Sequence, residues 1–257
     1  MKVYAIANQK GGIGKTTTAV ALASILNARE HKTLFIDADP QCNSTDTYRA
    51  ESENVATLFD VILADELVPI DKAIQHTESG DVVASDKLLV KSDALLSQKI
   101  DGLRRLKKAI VNSDLEKNYE YVVIDTAPTL GHLLFNCLIA ADEVIIPVTT
   151  DRYGIQGLTE LKKSIDLIRE EFNPGLKIAG LLLVMYDERT RLSKTVKSFL
   201  SEASSVMDTT LFETAIRRSV KAKEAQTNRE LLIKYSPCCT TERDYEAFVD
   251  VLTGEEW

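Results

Sequence analysis

Residues 8–18 read Asn8-Gln9-Lys10-Gly11-Gly12-Ile13-Gly14-Lys15-Thr16-Thr17-Thr18. They follow an apolar run, Val3-Tyr4-Ala5-Ile6-Ala7, and lead into residues 19–28, AVALASILNA, whose apolar side chains recur at helical spacing. Strand, glycine-rich loop and helix in that order is the context in which such a loop binds phosphate. Gly11, Gly12 and Gly14 allow a tight turn that aims backbone N–H groups inward at an anion. The helix starting near Lys15 adds its positive end. Lys15 is then placed to neutralise the outer phosphates, and the Thr16 hydroxyl to bind Mg²⁺.

The common phosphate-loop pattern, G-x-x-x-x-G-K-[ST], requires glycine at position 9, where this chain has Gln9. A second lysine, Lys10, opens the loop instead. KGGIGKT is the deviant Walker A signature, and in it the chain resembles the ParA/MinD superfamily of dimerising ATPases.

The remaining composition narrows the classes. The chain has 257 residues, 44% hydrophobic and 27% charged, with a formal net charge of −8. Ample apolar content supports a core. The acidic balance argues against indiscriminate coating of nucleic acid, while leaving room for a local basic patch. Cys42, Cys137, Cys238 and Cys239 show no metal spacing and are expected to be reduced thiols. With no leader expected and no apolar run of membrane-spanning length, the expected location is the cytoplasm.

No repeat or linker divides the chain, so a single domain over 1–257 is expected. Thr33–Ile36 reads as a buried strand ending in Asp37-Ala38-Asp39-Pro40-Gln41. Pro40 stops regular structure and leaves both aspartates at the strand's carboxyl end, where open parallel sheets bind ligands. Residues 42–100 read as a polar loop, a helix over Val55–Ala64 and a strand at Asp81–Ala84. A helix is expected over Ile100–Leu115, with Arg104, Arg105, Lys107 and Lys108 forming a solvated face. Tyr121–Ile124 is the next strand, ending in Asp125. Further strands are expected at Glu143–Val148 and Lys177–Tyr186. Helices are expected at Leu133–Ala140, Ile155–Phe172, Leu192–Ala203, Val220–Ile233 and Glu242–Leu252. This alternation predicts an α/β, doubly wound, mostly parallel sheet flanked by helices.

Three strand ends should therefore converge, carrying the phosphate loop, Asp37 with Asp39, and Asp125. An aspartate closing an apolar run about 110 residues after a phosphate loop is the Walker B pattern, suited to holding Mg²⁺ through water.

The resemblance sharpens beyond the loops. NQKGGIGKTTT, LFIDADPQ, YVVIDTAP, Pro147-Val148 and the MYDERTRLS stretch at 185–193 look like the ParA (Soj-like) partition ATPases. It implies a P-loop NTPase using ATP and Mg²⁺, with residues 10–17 (Lys10, Gly11, Gly12, Ile13, Gly14, Lys15, Thr16, Thr17) holding the nucleotide. Asp39 would position water, and Asp37 would lie near the metal's outer shell with Thr16 and Asp125. The signature Lys10 would reach a partner protomer's nucleotide, making Lys10, Lys15 and Asp39 the catalytic set. A role for Lys10 within its own protomer is the alternative.

The resemblance further implies an ATP-dependent homodimer that binds DNA without sequence preference through Arg189, Arg191, Arg218 and Lys221. It implies hydrolysis stimulated by a ParB-type centromere-binding partner, and association with the nucleoid when ATP is bound. The chain departs from the pattern at Ala127, where such proteins carry proline, and at Arg217 and residues 226–230. Two alternatives share the loop. A MinD-like membrane switch needs a basic amphipathic end, whereas residues 250–257 read DVLTGEEW. A P-loop small-molecule ligase would need a substrate pocket that no motif identifies.

Overall fold

Apolar runs covered by helices on both faces become buried strands. Seven form: β1 (Lys2–Ile6), β2 (Thr33–Ala38), β3 (Ile74–Thr77), β4 (Gly80–Val83), β5 (Tyr121–Thr126), β6 (Glu143–Val148) and β7 (Lys177–Leu183). In the computed structural model the described residues are 1–149, 152–187 and 191–255, and their side chains other than those of 152–156, 191–194, 196, 197, 202 and 206. The strands make one sheet, ordered β3–β4–β2–β5–β1–β6–β7. Every pairing is parallel except β3 with β4. This is the expected doubly wound architecture with one antiparallel edge.

Alternation along the strands divides two cores. Val3, Ala5, Leu34, Ile36, Val122 and Ile124 face one layer of helices, which includes His132–Ala140. Tyr4, Ile6, Phe35 and Val123 face helices Lys15–Ala28 and Thr240–Thr253. Lys15–Ala28 is apolar nearly all round because it lies between the sheet and Thr240–Thr253. Its Thr18 hydroxyl meets the Tyr245 hydroxyl at 3.0 Å.

Several expected elements are shorter or broken. The Val55–Ala64 helix contracts to Leu58–Ile62, started by a capping box in which Thr57 and Asp60 satisfy each other's backbone N–H. The Ile100–Leu115 helix splits into a 3₁₀ turn at Gly102–Arg104, a helix at Arg105–Val111 and a short turn at Leu115–Asn118. Asn136 breaks it from the facing helix, donating to Gly102 O (2.7 Å) and accepting from Leu106 N–H (3.1 Å).

Val220–Ile233 becomes Val220–Thr227 and Leu232–Tyr235, separated by a turn with Arg229 at φ 54°. The Lys177–Tyr186 strand ends at Leu183, and Met185 turns away at φ 54°. The strand expected at Asp81–Ala84 forms as β4, and β3, which pairs with it antiparallel, and helix Asn43–Tyr48 are additions.

One buried group carries a stability cost. Glu242 is 1% exposed, and neither carboxylate oxygen has a hydrogen-bond partner among the described residues. Burial, aided by the nearby Glu246 charge, pushes its carboxyl up to about 7 from an ordinary 4.5. The folded chain thus holds this proton more tightly than the unfolded chain. The resulting stability is fully present below the unfolded value and is lost as pH rises through about 7. Glu242→Gln should match the parent at about pH 4 and exceed it by on the order of 2 kcal/mol at about pH 8. Melting temperature against pH checks this, and parallel curves for the two proteins would contradict it.

Candidate functional site

β5 lies between β1 and β2, in register so that Asp125 is paired with Ile6 on one side and Asp37 on the other. The phosphate loop leaves β1 beside them. All three strand ends therefore open on one side of the sheet, at the point where the chain reverses its direction of winding.

The loop has the backbone its glycines permit. Gly12 and Gly14 adopt φ 72° and 86°, a region costly for a residue with a Cβ. Asn8 anchors the loop by donating to Pro147 O (2.7 Å) and accepting from Lys10 N–H (3.1 Å). Lys15 is 6% exposed, and its ammonium donates to Lys10 O at 3.1 Å. Burial pulls its pKa down, while the charges of Asp125 and Asp39 pull the other way. Ile13 is buried, Thr16 lines the cleft, and Thr17 accepts from Gln226 Nε2 at 3.0 Å.

The three aspartates are differently held. Asp37 is fully buried and braces its own loop: it accepts from Asp39 N–H (3.0 Å), Thr45 N–H (2.8 Å) and the Thr45 hydroxyl (2.7 Å). Asp39 is 8% exposed, accepts from Gln41 N–H (2.9 Å) and lines the cleft. Asp125 accepts from the Ser44 hydroxyl at 2.5 Å through Oδ2, while its buried Oδ1 has no hydrogen-bond partner among the described residues.

Burial raises the carboxyls of both Asp37 and Asp125. The Asp125 charge raises Asp37 further, whereas the Ser44 and Thr16 hydroxyls oppose the shift at Asp125. Three carboxylates around one buried ammonium leave a surplus of negative charge. That surplus and the unsatisfied oxygen fit a divalent cation beside Thr16 and Asp125.

The cleft above this cluster has a volume of about 730 Å³. Its near wall is the loop with Asp39. Its far wall is Met185, Ile216–Arg218 and Gln226, with Thr241 and Tyr245 behind. Arg217 is fixed there by donating two hydrogen bonds to each Asp244 oxygen, one of them from its backbone N–H, the shortest from Nη2 to Oδ1 at 2.6 Å. A concave site walled by residues from six segments, with an anion-binding loop at one end, suits a nucleotide.

Sequence reasoning did not identify Ser44, Thr45, Gln226 or Asp244 as parts of this site. Polar residues directly after Pro40 were the available signal for the first two. The proposed DNA residues are only partly brought together. Arg189 lies outside the described residues, as does the side chain of Arg191, which begins helix Arg191–Val206. Arg218 is exposed but lines the nucleotide cleft itself, and Lys221 is paired with Glu224 at 2.8 Å.

Residues 1–178 match the family described as an AAA domain. The chain is 34% identical to the sporulation initiation inhibitor protein Soj of Bacillus subtilis, over 97% of this chain and 96% of that protein. It is 35% identical to the chromosome partitioning protein ParA of Caulobacter vibrioides, over 95% and 91% respectively. A solved complex of a Cyanothece McdA variant with ATP superposes with a TM-score of 0.88 at 25% identity, covering 100% of this chain and 98% of that one. Cobyrinic acid a,c-diamide synthase from Mycobacterium smegmatis, solved with an ATP analogue and magnesium, gives 0.85 at 26%, covering 98% and 94%. The deviant phosphate loop, the paired aspartate strands and identity running nearly end to end place the chain in the Soj/ParA family of partition ATPases.

Proposed function

We propose that the chain is a Mg²⁺-dependent ATP switch that dimerises with ATP bound, associates with DNA in that state and is reset by slow hydrolysis. The observation that carries this is the convergence of Lys15, Asp39 and Asp125 at adjacent strand ends around one cleft. The backbone N–H groups of residues 11–16 and the Lys15 ammonium would hold the phosphates. Thr16 and Asp125 would hold magnesium, with Asp37 fixing the loop and contributing charge behind them. The metal would neutralise charge on the phosphates. Asp39 faces the cleft and would orient the attacking water, which suffices because phosphoryl transfer asks mainly for positioning.

Lys10 lies at the loop's start, where it can reach a facing protomer and offset repulsion between two phosphate-bearing surfaces. Among the described residues no helix is long and apolar enough to cross a membrane, and the switch would operate in the cytoplasm, on the nucleoid when ATP is bound. A ParB-type protein bound at a centromere-like site would stimulate turnover.

The discriminating measurement is gel-filtration mass and mobility shift with ATP, ADP or neither, on two unrelated duplexes at two salt concentrations. ATP should double the mass and raise affinity for both duplexes, because pairing makes the second protomer's engagement intramolecular. Affinity should fall steeply with salt. Lys221→Ala lies off the cleft, so it should weaken DNA binding and reduce the salt slope by about 1 per contact while leaving the dimer intact. Equal DNA binding in every nucleotide state would overturn the reading.

The structural likeness to a diamide synthase supports a second reading, an ATP-consuming ligase on the same cleft. Hydrolysis that requires a small carboxylate substrate would favour it.

A further inference from the structure

A second groove, of about 550 Å³, opens on the face covered by the broken Ile100–Leu115 region. Its apolar part is Leu96, Leu103, Ile100 and Phe172, and Ile100 is fully exposed. Its polar rim is basic on a chain whose net charge is −8. Residues 99–108 carry Lys99, Arg104, Arg105, Lys107 and Lys108 against a single carboxylate, Asp101. Asp101 is engaged by Lys108 (2.9 Å) and Arg105 (3.2 Å), Asp65 lies 3.6 Å from Lys99 and Asp93 lies 3.7 Å from His132, so five lysines and arginines face three carboxylates and the surplus is positive by a small margin. Arg104 lies over the Phe172 ring, 5.3 Å from its centroid.

The groove also touches the nucleotide site through one short piece of backbone. Asp125 sits at the cluster of carboxylates, Pro128 lines the cleft, and His132 lines the groove. Asp93 clamps the far end of this piece by accepting from His132 N–H at 2.7 Å. The carboxylate also closes tightly on Gly131, where a Cβ would clash with it. Asp93 thus holds the Gly131–His132 end of the Asp125–His132 segment against the helix that borders the groove.

We infer that this groove docks a short acidic segment of a partner protein bearing apolar anchors, and that docking is coupled to the nucleotide cleft through residues 125–132. Charge complementarity selects an acidic occupant. The apolar floor beneath Arg104 selects a peptide over a nucleic-acid backbone, which would leave Ile100 and Leu103 without a partner.

The test uses the full chain and a fluorescein-labelled peptide of about 14 residues, mostly glutamate with two phenylalanines, beside its lysine counterpart. Anisotropy measured without nucleotide should show saturable binding of the acidic peptide, at least about tenfold tighter than the basic one. Lys99→Glu with Arg104→Glu should reverse that preference, with far-ultraviolet dichroism verifying that the fold is kept. Ile100→Asp should weaken the acidic peptide in an otherwise parental groove. Adding ATP and Mg²⁺ should shift the acidic peptide's affinity by about threefold or more.

Equal binding of both peptides, or binding of neither, would overturn the docking site. So would displacement of the acidic peptide by a duplex of about 20 base pairs, which would assign the groove to nucleic-acid phosphates. An affinity indifferent to ATP, in a protein shown by calorimetry to bind ATP, would overturn the coupling. Because the first measurement needs no nucleotide, its failure is distinguishable from failure of the ATP-switch reading.

Discussion

Replacing Asp39 by alanine should leave ATP binding within about threefold of the parent while slowing hydrolysis by about 10²-fold or more, the scale for loss of a positioned catalytic group. The asymmetry follows from how the carboxylates are held. The Asp39 side chain accepts one hydrogen bond from the loop, from Gln41 N–H, and its main chain does the rest by accepting from the Ser85 hydroxyl at 2.6 Å and from Cys42 N–H at 2.9 Å. An alanine there keeps the main-chain bonds, so the loop should stand. Asp37→Ala is the contrasting control, because it removes three hydrogen bonds from a buried brace and should lower melting temperature. The prediction is read from single-turnover hydrolysis beside calorimetric ATP affinity. With binding intact and release blocked, the protein should accumulate as an ATP-bound dimer. Normal turnover would make Asp39 a structural residue only.

Lys15→Ala should have a different signature, loss of binding itself. The ammonium is the buried cation that the Asp125 and Asp39 charges act upon. Without it a triphosphate would approach a cluster of carboxylates with only backbone dipoles to offset them. Removing one member of a buried charge cluster typically costs about 3–5 kcal/mol, and a loss of that size in binding would reduce ATP affinity by roughly 10²- to 4 × 10³-fold. Calorimetry with ATP and Mg²⁺ checks it, and far-ultraviolet dichroism verifies the fold. An affinity unchanged from the parent would refute the assigned phosphate loop.

What the sequence displayed and what it concealed differ in range. Thr33–Ile36 and Tyr121–Ile124 are apolar on both faces and end in aspartate, so each announces a central strand and the direction in which its carboxylate points. The phosphate loop is equally local, since its glycines, lysine and following helix are contiguous. Long-range partners left no comparable trace. Ser44 reaches Asp125 across 81 positions, and Asp244 holds Arg217 across 27. The break in the Ile100–Leu115 helix was concealed for the same reason: its cause is an amide on another helix, while the local periodicity still favours continuity. Glu242 shows the limit of charge as a guide to exposure, because a glutamate in the first turn of an amphipathic helix ordinarily faces water.

The position of β5 also has a consequence in time. β1 and β2 are consecutive in the chain, yet each pairs with β5 and neither pairs with the other. During synthesis the ribosome makes β5 roughly eighty residues after β2, an interval of about 4–16 seconds at ordinary elongation rates. Until then the phosphate loop and Asp37 belong to segments with nothing between them to fix their spacing. A nascent chain arrested before Tyr121 should therefore be unable to retain nucleotide, however complete its glycine-rich loop. Non-local parallel pairing of this kind is slow to form, and insertion of β5 is the step that sets the phosphate loop, Asp37 and Asp125 side by side.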